Sequence, residues 1–433
     1  MFIKSPHIIH PETTIEQIGN IHCIAFIDPL ISPVYLAKTL HSYGLKIIAV
    51  YTLSNLSEEE KKLRFHPELF DHVIYVDNIN ELSTARTAKQ LQAWEVTQVF
   101  YGYEASLAFA DKIASLVCNA YANDLNSVQK RLNKYDMQEA LRTASLPCVK
   151  QIKVLNKILT ASQTTELQTW KFPVIVKPSN GCVSVGIKKC QNIEEIKAFV
   201  KADHGMLLHA AAIEEFLVQE MLTGVEYFVD TFSLKGKHRV AGVYVYTKEA
   251  HTGAPIYRSI AAVDPKSQEW KNCVDYVLKV LDIVGFKNGF GHTELFLTAE
   301  GPCLIEVNPR ISGVSGCANK LGEYSFHYSQ PQALLDGVLK KTIRKIEKIY
   351  AYSELAMLQN WKPRAIKALD LNLIKSLPSY KEHLLLKPAG TVLAMPETLL
   401  DTVALIIMSN PNKAQLAKDM KLLQKWEKNN LLF

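Results

Sequence analysis

Short apolar runs alternate with helical patterns over the first 120 residues. HCIAFID from His22, LKIIAVYT from Leu45, HVIYVDN from His72 and VTQVFYG from Val96 read as strands. Pro33–Tyr43 fits a helix that ends at Gly44, and helix-like segments follow the other strands. Apolar strands alternating with helices predict a parallel sheet covered on both faces. After Asn123 the pattern changes. NSVQKRLNKYDMQEALRTASLP reads as a cap and helices that stop before Pro147. WKFPVIVKPSNGCVSVGIKKC reads as strand, loop and strand, and IEEIKAFVKA as a helix. From Phe216 a meander of antiparallel strands is expected, with a turn at Leu234–Gly236, then a helix over Asp275–Val284. The final stretch predicts strands near LKPAGTVLAM and LDTVALIIM, and a lysine-rich helix over Lys413–Lys428. There is no internal repeat.

These patterns divide the chain into an N-terminal α/β unit (1–122), a central unit (123–335) and a C-terminal α+β unit (336–433). A length of 433 residues is too great for one core. Hydrophobic residues at 48% and charged residues at 21% describe a globular protein without the polar bias of disorder. The net charge of +6 is mild for this length. The densest basic stretch, KKTIRKIEKIY from Lys340, fits a helix with a solvated face, so no nucleic-acid partner is expected. Eight cysteines without a C-x-x-C pair argue against a zinc knuckle or redox motif, and for a reducing compartment. The N-terminus lacks the apolar run of a signal peptide, and no run reaches the ~20 residues of a spanning helix. A cytoplasmic protein without a membrane partner is expected. The sequence leaves room for a homodimer.

The chemistry concentrates between Gly291 and Ile311, GHTELFLTAEGPCLIEVNPRI. Thr298–Pro302 is a turn signal between two strand-like runs, and a turn centred on Glu300 sets Glu294 opposite Glu306 and His292 opposite Asn308. Opposed like charges cost up to about 1 kcal/mol. A divalent cation is the usual compensation, and hard oxygen ligands suit Mg²⁺ carrying phosphates, with Mn²⁺ as the alternative. Alternation puts Glu306, Asn308 and Arg310 on one face. The bland alternative is a hairpin whose acids face solvent.

Further along the same lines, Lys177 ends a strand beside a loop with Ser179, Gly181, Ser184 and Gly186, which offers charge, hydroxyls and backbone N–H groups to phosphates. It is not a Walker A loop, because the lysine precedes the glycines. Nor does a G-x-G-x-x-G follow the first strand. Lys134 supplies a second charge. Backbone around Glu220, Met221 and Leu222 suits an adenine edge, and Glu226 suits ribose hydroxyls. Either acid can equally belong to an exposed edge strand.

The ordered set Lys134, VIVKPSNGCVSVGI, QEMLTGVE and GHTELFL with LIEVNPR resembles the ATP-grasp superfamily over roughly residues 120–320. The wider pattern is most similar to the L-amino-acid ligase and carnosine-synthase-like branch, including a G-x-E element at Gly102–Glu104. The resemblance implies an ATP-grasp fold whose antiparallel sheets sandwich the nucleotide, with a lid over about 145–217. It also implies ATP held by Lys134, Lys177 and the 179–186 loop, and one or two Mg²⁺ on Glu294, Glu306 and Asn308. Arg310 would steady the transferred phosphoryl group. The implied activity joins a carboxylate to an amine, making a dipeptide or amide, with release of ADP and phosphate. The alternative is an ATP-binding sensor or scaffold without turnover. Substrate contacts are expected from Glu104, His251, Tyr257 and Arg258, the last through its bidentate fork.

Overall fold

The computed structural model describes residues 23–30, 33–55, 58, 61, 66–179, 186–202, 207–208, 211–212, 215–249, 256–313, 316–340, 342–396 and 401–433. Gly181, Ser184 and His251 lie outside these described residues, as does the N-terminal stretch examined for a signal peptide.

The N-terminal unit is the expected parallel sheet. Its strands are β1 (Cys23–Ile27), β2 (Lys46–Thr52), β3 (His72–Val76) and β4 (Val96–Tyr101), in the order β3-β2-β1-β4. Both faces of β1 are buried: Ile24 and Phe26 pack on one side, Cys23, Ala25 and Ile27 on the other. That two-sided burial is why the strands read as continuous apolar runs. The strand order reverses between β1 and β4, and crevices at such points bind ligands at the carboxyl ends of the strands. Asp28 follows β1 there, and Glu104 follows β4. Buried Asp28 accepts from the Thr52 backbone N–H at 2.7 Å and from the hydroxyls of Thr52 and Ser106, so it ties down the turn that carries Glu104.

A second sheet is formed by β5 (Gln151–Leu155), β6 (Val174–Pro178), β7 (Lys188–Cys190) and, after the two-residue pair β8 (Leu207–Leu208) and β9 (Ala211–Ala212), β10 (Glu215–Glu220). Its order is β5-β10-β6-β7. Val174, Val176, Phe216 and Val218 bury one face against helices 161–167 and 193–201. Alternation therefore turns Lys177 to the other face.

The third sheet has eight strands. They are β11 (Val225–Leu234), β12 (Lys237–Glu249), β13 (Ile256–Ala262), β14 (Gly289–Thr298), β15 (Gly301–Asn308), β16 (Tyr352–Leu358), then after β17 (Arg364–Ala365), β18 (Tyr380–Leu385), and after β19 (Val392–Leu393), β20 (Ala404–Asn410). The order is β15-β14-β11-β12-β13-β16-β20-β18. Lys235 and Gly236 both have positive φ (51° and 71°), as a two-residue type I′ hairpin turn requires. Phe26, Phe100, Phe232 and Phe290 form a chain of ring contacts that joins this sheet to the N-terminal unit in one core.

β16 pairs with β13 across Ser259–Ala261, so the central sheet continues past residue 336, while β17 and β19 form a two-stranded sheet. Three readings change. The basic stretch 342–349 has no helix. There Ile346 and Ile349 pack on the core, Arg344 lies 5.1 Å over the Tyr328 ring, and the Tyr350 N–H donates to the Ser325 carbonyl at 2.7 Å. Tertiary anchors at uneven spacing override the local helix pattern. Only Val392–Leu393 of LKPAGTVLAM pairs as a strand, after Pro388 and a left-handed Gly390 (φ 88°). The helix expected over Asp275–Val284 spans Gln268–Ile283 and begins at an N-cap, Ser267, whose side chain accepts from the Trp270 N–H. Helix Lys413–Lys428 has the expected bounds. Among the described residues no helix is long and apolar enough to cross a membrane.

Candidate active site

The β14–β15 hairpin carries the acids. Its turn is Ala299–Glu300, since Thr298 pairs with Gly301, so near the turn the register lies one residue off a turn centred on Glu300. A bulge between Glu294 and Leu295 leaves Ile305 unpaired and absorbs that residue. Beyond it Glu294 stands opposite Glu306, and His292 opposite Asn308. Without the bulge one of the two acids would turn to the other face of the sheet.

Each acid is met by a cation or donor. Lys134, first residue of helix Lys134–Thr143, reaches Glu306 Oε2 at 2.7 Å, and the Asn308 amide donates to Oε1 at 3.2 Å. Burial raises the Glu306 carboxyl, but Lys134 and Lys177 outweigh it and hold the group at about 2. Glu294 Oε1 faces His292 Nε2 at 3.1 Å and accepts from the Tyr246 hydroxyl at 3.3 Å. His292 Nδ1 lies 2.8 Å from buried Asp230. Burial lowers the His292 pKa, yet its bonds to Asp230 and Glu294 prevail and lift it to about 9. Gln330 ties this region together, donating to the carbonyls of Thr231 and Gly291 and accepting from the Ser312 N–H.

Lys177 comes from the second sheet. Burial, then Lys134, pushes its ammonium down to about 8 against the pull of Glu306, Glu294 and Glu226. Ser179 holds the two lysine-bearing elements together: its carbonyl accepts from the Lys134 N–H at 3.1 Å, and its N–H donates to Glu215 at 3.2 Å. Met221–Gly224 joins β10 to β11, and so links the two sheets. Gly224 has φ +149°, and a Cβ there would meet the Leu297 carbonyl oxygen at 2.4 Å. Arg310 Nη2 and Nε reach Glu104 Oε1 at 2.8 and 2.9 Å, which brings the crevice of the N-terminal sheet against the hairpin.

Residues 170–318 match the family model of the ATP-grasp domain. The chain carries an ATP-grasp domain. Dapdiamide A synthase of Enterobacter agglomerans is 26% identical over 274 residues, 62% of this chain and 61% of that protein. Carnosine synthase 1 of Gallus gallus is 28% identical over 155 residues, 33% of this chain and 16% of that protein. The matches thus span less than two thirds of these relatives. L-amino acid ligase from Bacillus licheniformis has a similar crystal structure, with TM-score 0.71 at 17% identity over 93% of this chain and 97% of that one. The fold shared with that structure therefore extends over nearly the whole chain, well beyond residues 170–318.

The structure brings together Lys134, Lys177, Glu294, Glu306 and Asn308, with Arg310 and Glu104 beside them. Glu220 ends β10, where its carboxylate accepts from the Lys150 N–H at 2.7 Å. Met221 and Leu222 are half-buried in the connection, and Gly186 is left-handed at φ 75°. Glu226, expected at ribose hydroxyls, is buried with both oxygens engaged, by Lys248 at 2.5 Å and the Tyr257 hydroxyl at 3.0 Å. Tyr257, expected at a substrate, is thus turned to Glu226. Arg258 is corrected more sharply. Its guanidinium is buried, forks onto Glu427 of helix 413–428, contacts Glu249 at 3.3 Å and lies 5.0 Å over the Trp361 ring. The register of β12 and β13 skips Arg258 between Tyr257 and Ser259, and from this bulge Arg258 reaches Glu249 and Glu427 while Tyr257 reaches Glu226.

Lys248, Tyr246 and Asp230 were missed. Their signal lay in alternation: Glu226-x-Phe228-x-Asp230 on β11 and Tyr244-x-Tyr246-x-Lys248 on β12 continue the face of Glu294. Among the described residues no group of three or more His, Cys, Asp or Glu is arranged as a metal cage. Two opposed carboxylates and an amide make an open set of hard oxygens. Mg²⁺ suits such an edge, because it usually takes one or two carboxylates and fills its shell with phosphates and water.

Proposed function

We propose that the chain is an ATP-dependent carboxylate–amine ligase that joins two amino acids, or an amino acid and another amine, and releases ADP and phosphate. The observation that carries this reading is the convergence of Glu294 and Glu306 with Lys134, Lys177 and Arg310, beside Glu104 at the switch point of the N-terminal sheet. The likeness to named synthases and to an amino-acid ligase supports it.

A carboxylate is a poor electrophile until one of its oxygens becomes a leaving group. Attack of the substrate carboxylate on the γ-phosphate makes an acyl phosphate, and the amine then attacks the carbonyl and expels phosphate. In the first step negative charge spreads over the phosphoryl oxygens. Lys134 and Lys177 supply fixed positive charge to the phosphates, and Arg310 to the group in transfer. Glu294, Glu306 and Asn308 would hold Mg²⁺, which supplies neutralisation of the triphosphate when bound. Met221 and Leu222 offer backbone groups to the adenine, and Glu226, once released by Lys248, a carboxylate to the ribose. Ser179, at the end of the Lys177 strand, offers a hydroxyl to the phosphates beside the two lysines.

The test is a phosphate-release screen of amino acids in pairs with ATP and Mg²⁺, with mass measurement of products. Condensation products matching a pair, formed with ADP, support the reading. ATP bound but never turned over under any pair favours the sensor alternative.

A further inference from the structure

His292 stands two residues before Glu294 on β14, on the same face, and touches acids through both ring nitrogens. Nδ1 faces Asp230 Oδ1 at 2.8 Å, with the Ser312 hydroxyl 3.2 Å away, and Nε2 faces Glu294 Oε1 at 3.1 Å. The ring therefore spans the two acids, one on each nitrogen. The ring is held by Phe228, whose centroid is 4.6 Å away. Asp230 and His292 are buried, while Glu294 is half-buried at the edge of the site. Both hydrogen bonds to Glu294, from His292 and from Tyr246, fall on Oε1. One carboxylate oxygen is thus committed to the protein, and neither of these bonds uses Oε2.

We propose that His292 is a positioning residue: bridging buried Asp230 to Glu294 Oε1, it fixes the carboxylate so that Oε2 is presented to a divalent ion. This inference rests on the metal-dependent ligase reading, and it assigns to a buried imidazole inside the sheet the aim of one metal-binding acid. Asp230 has no role toward the ion except through His292. Asp230 is bonded to the imidazole at 2.8 Å, with the Ser312 hydroxyl beside the pair. Outer partners of this kind typically change metal affinity by about 10–100-fold.

Mn²⁺ binding to the full chain, followed by the loss of the free-ion electron paramagnetic resonance signal in the presence of a non-hydrolysable ATP analogue, tests this. His292→Gln combined with Asp230→Asn keeps polar side chains of similar size but breaks the imidazole bridge. The double variant should bind Mn²⁺ roughly 10–100-fold more weakly. Its affinity for the metal-free analogue should be unchanged. In turnover, the Mg²⁺ needed for half-maximal ADP release should rise while kcat at saturating Mg²⁺ is largely kept. If the double variant fails to fold, Asp230→Asn alone, which retains the imidazole, should show a smaller shift in the same direction. A folded variant with wild-type Mn²⁺ affinity overturns the positioning role, even if its Tm falls. A wild-type chain that retains no Mn²⁺ beyond what the analogue holds in solution overturns the metal assignment, and the proposal with it.

Discussion

Replacing Glu427 with alanine should destabilise the molecule strongly and leave substrate recognition alone. The Glu427 carboxylate accepts from Arg258 Nη1 at 3.1 Å, from Arg258 Nη2, and from the Gln359 backbone N–H at 2.5 Å, all in the interior. After Glu427→Ala the guanidinium stays buried, with Glu249 at 3.3 Å as its remaining carboxylate partner. Breaking a buried pair on one side costs about 3–5 kcal/mol, because a charge is left uncompensated. At about 2–3 °C per kcal/mol for a large chain, the unfolding midpoint should fall by roughly 6–15 °C. Thermal denaturation followed by circular dichroism measures this, beside KM for each substrate at a temperature where the variant is folded. The structural assignment of Arg258 predicts an unchanged KM. A midpoint within 2 °C of wild type, or a large rise in KM for a carboxylate substrate, would refute it and return Arg258 to the substrate.

Glu306→Gln should abolish ADP formation with the fold intact by circular dichroism, and normal turnover in that variant would remove the acid from the site. Lys177, held at about 8 against the ordinary 10.5, should lose its charge as pH rises through 8, so ADP formation should fall there and Lys177→Arg should lose that inflection. The sign for stability is opposite: between about 8 and 10.5 the unfolded chain holds the proton that the folded chain has given up, so Lys177 should make nucleotide-free protein more stable over that window. Lys177→Met, measured by urea unfolding across the same range, should flatten that rise. Gly224→Ala puts a methyl group against the Leu297 carbonyl at a φ of +149° that alanine rarely adopts. A loss of about 1–3 kcal/mol is expected, and a variant as stable as wild type would show that the connection between the sheets can shift.

The sequence alone determined the strands of the N-terminal sheet and the acid pair. Apolar runs in β1 to β4 gave the parallel sheet, because two-sided burial writes itself into every residue of a strand. Period-two alternation and turn chemistry placed Glu294 across from Glu306, although the one-residue error at the turn was cancelled only by a bulge at Ile305 that no local pattern announces. The same alternation would have found Asp230, Tyr246 and Lys248 had β11 and β12 been set beside β14. Their value depends on strand order, a long-range property. Only the tertiary structure decided where Arg258 and Glu104 go. Strand β13 points Arg258 away from the site into a helix more than 150 residues later, and Arg310 crosses between two units to reach Glu104. Tertiary packing also unwound the helix expected after Lys340. Periodicity records which face of an element is buried, but not which distant charge will be waiting on that face.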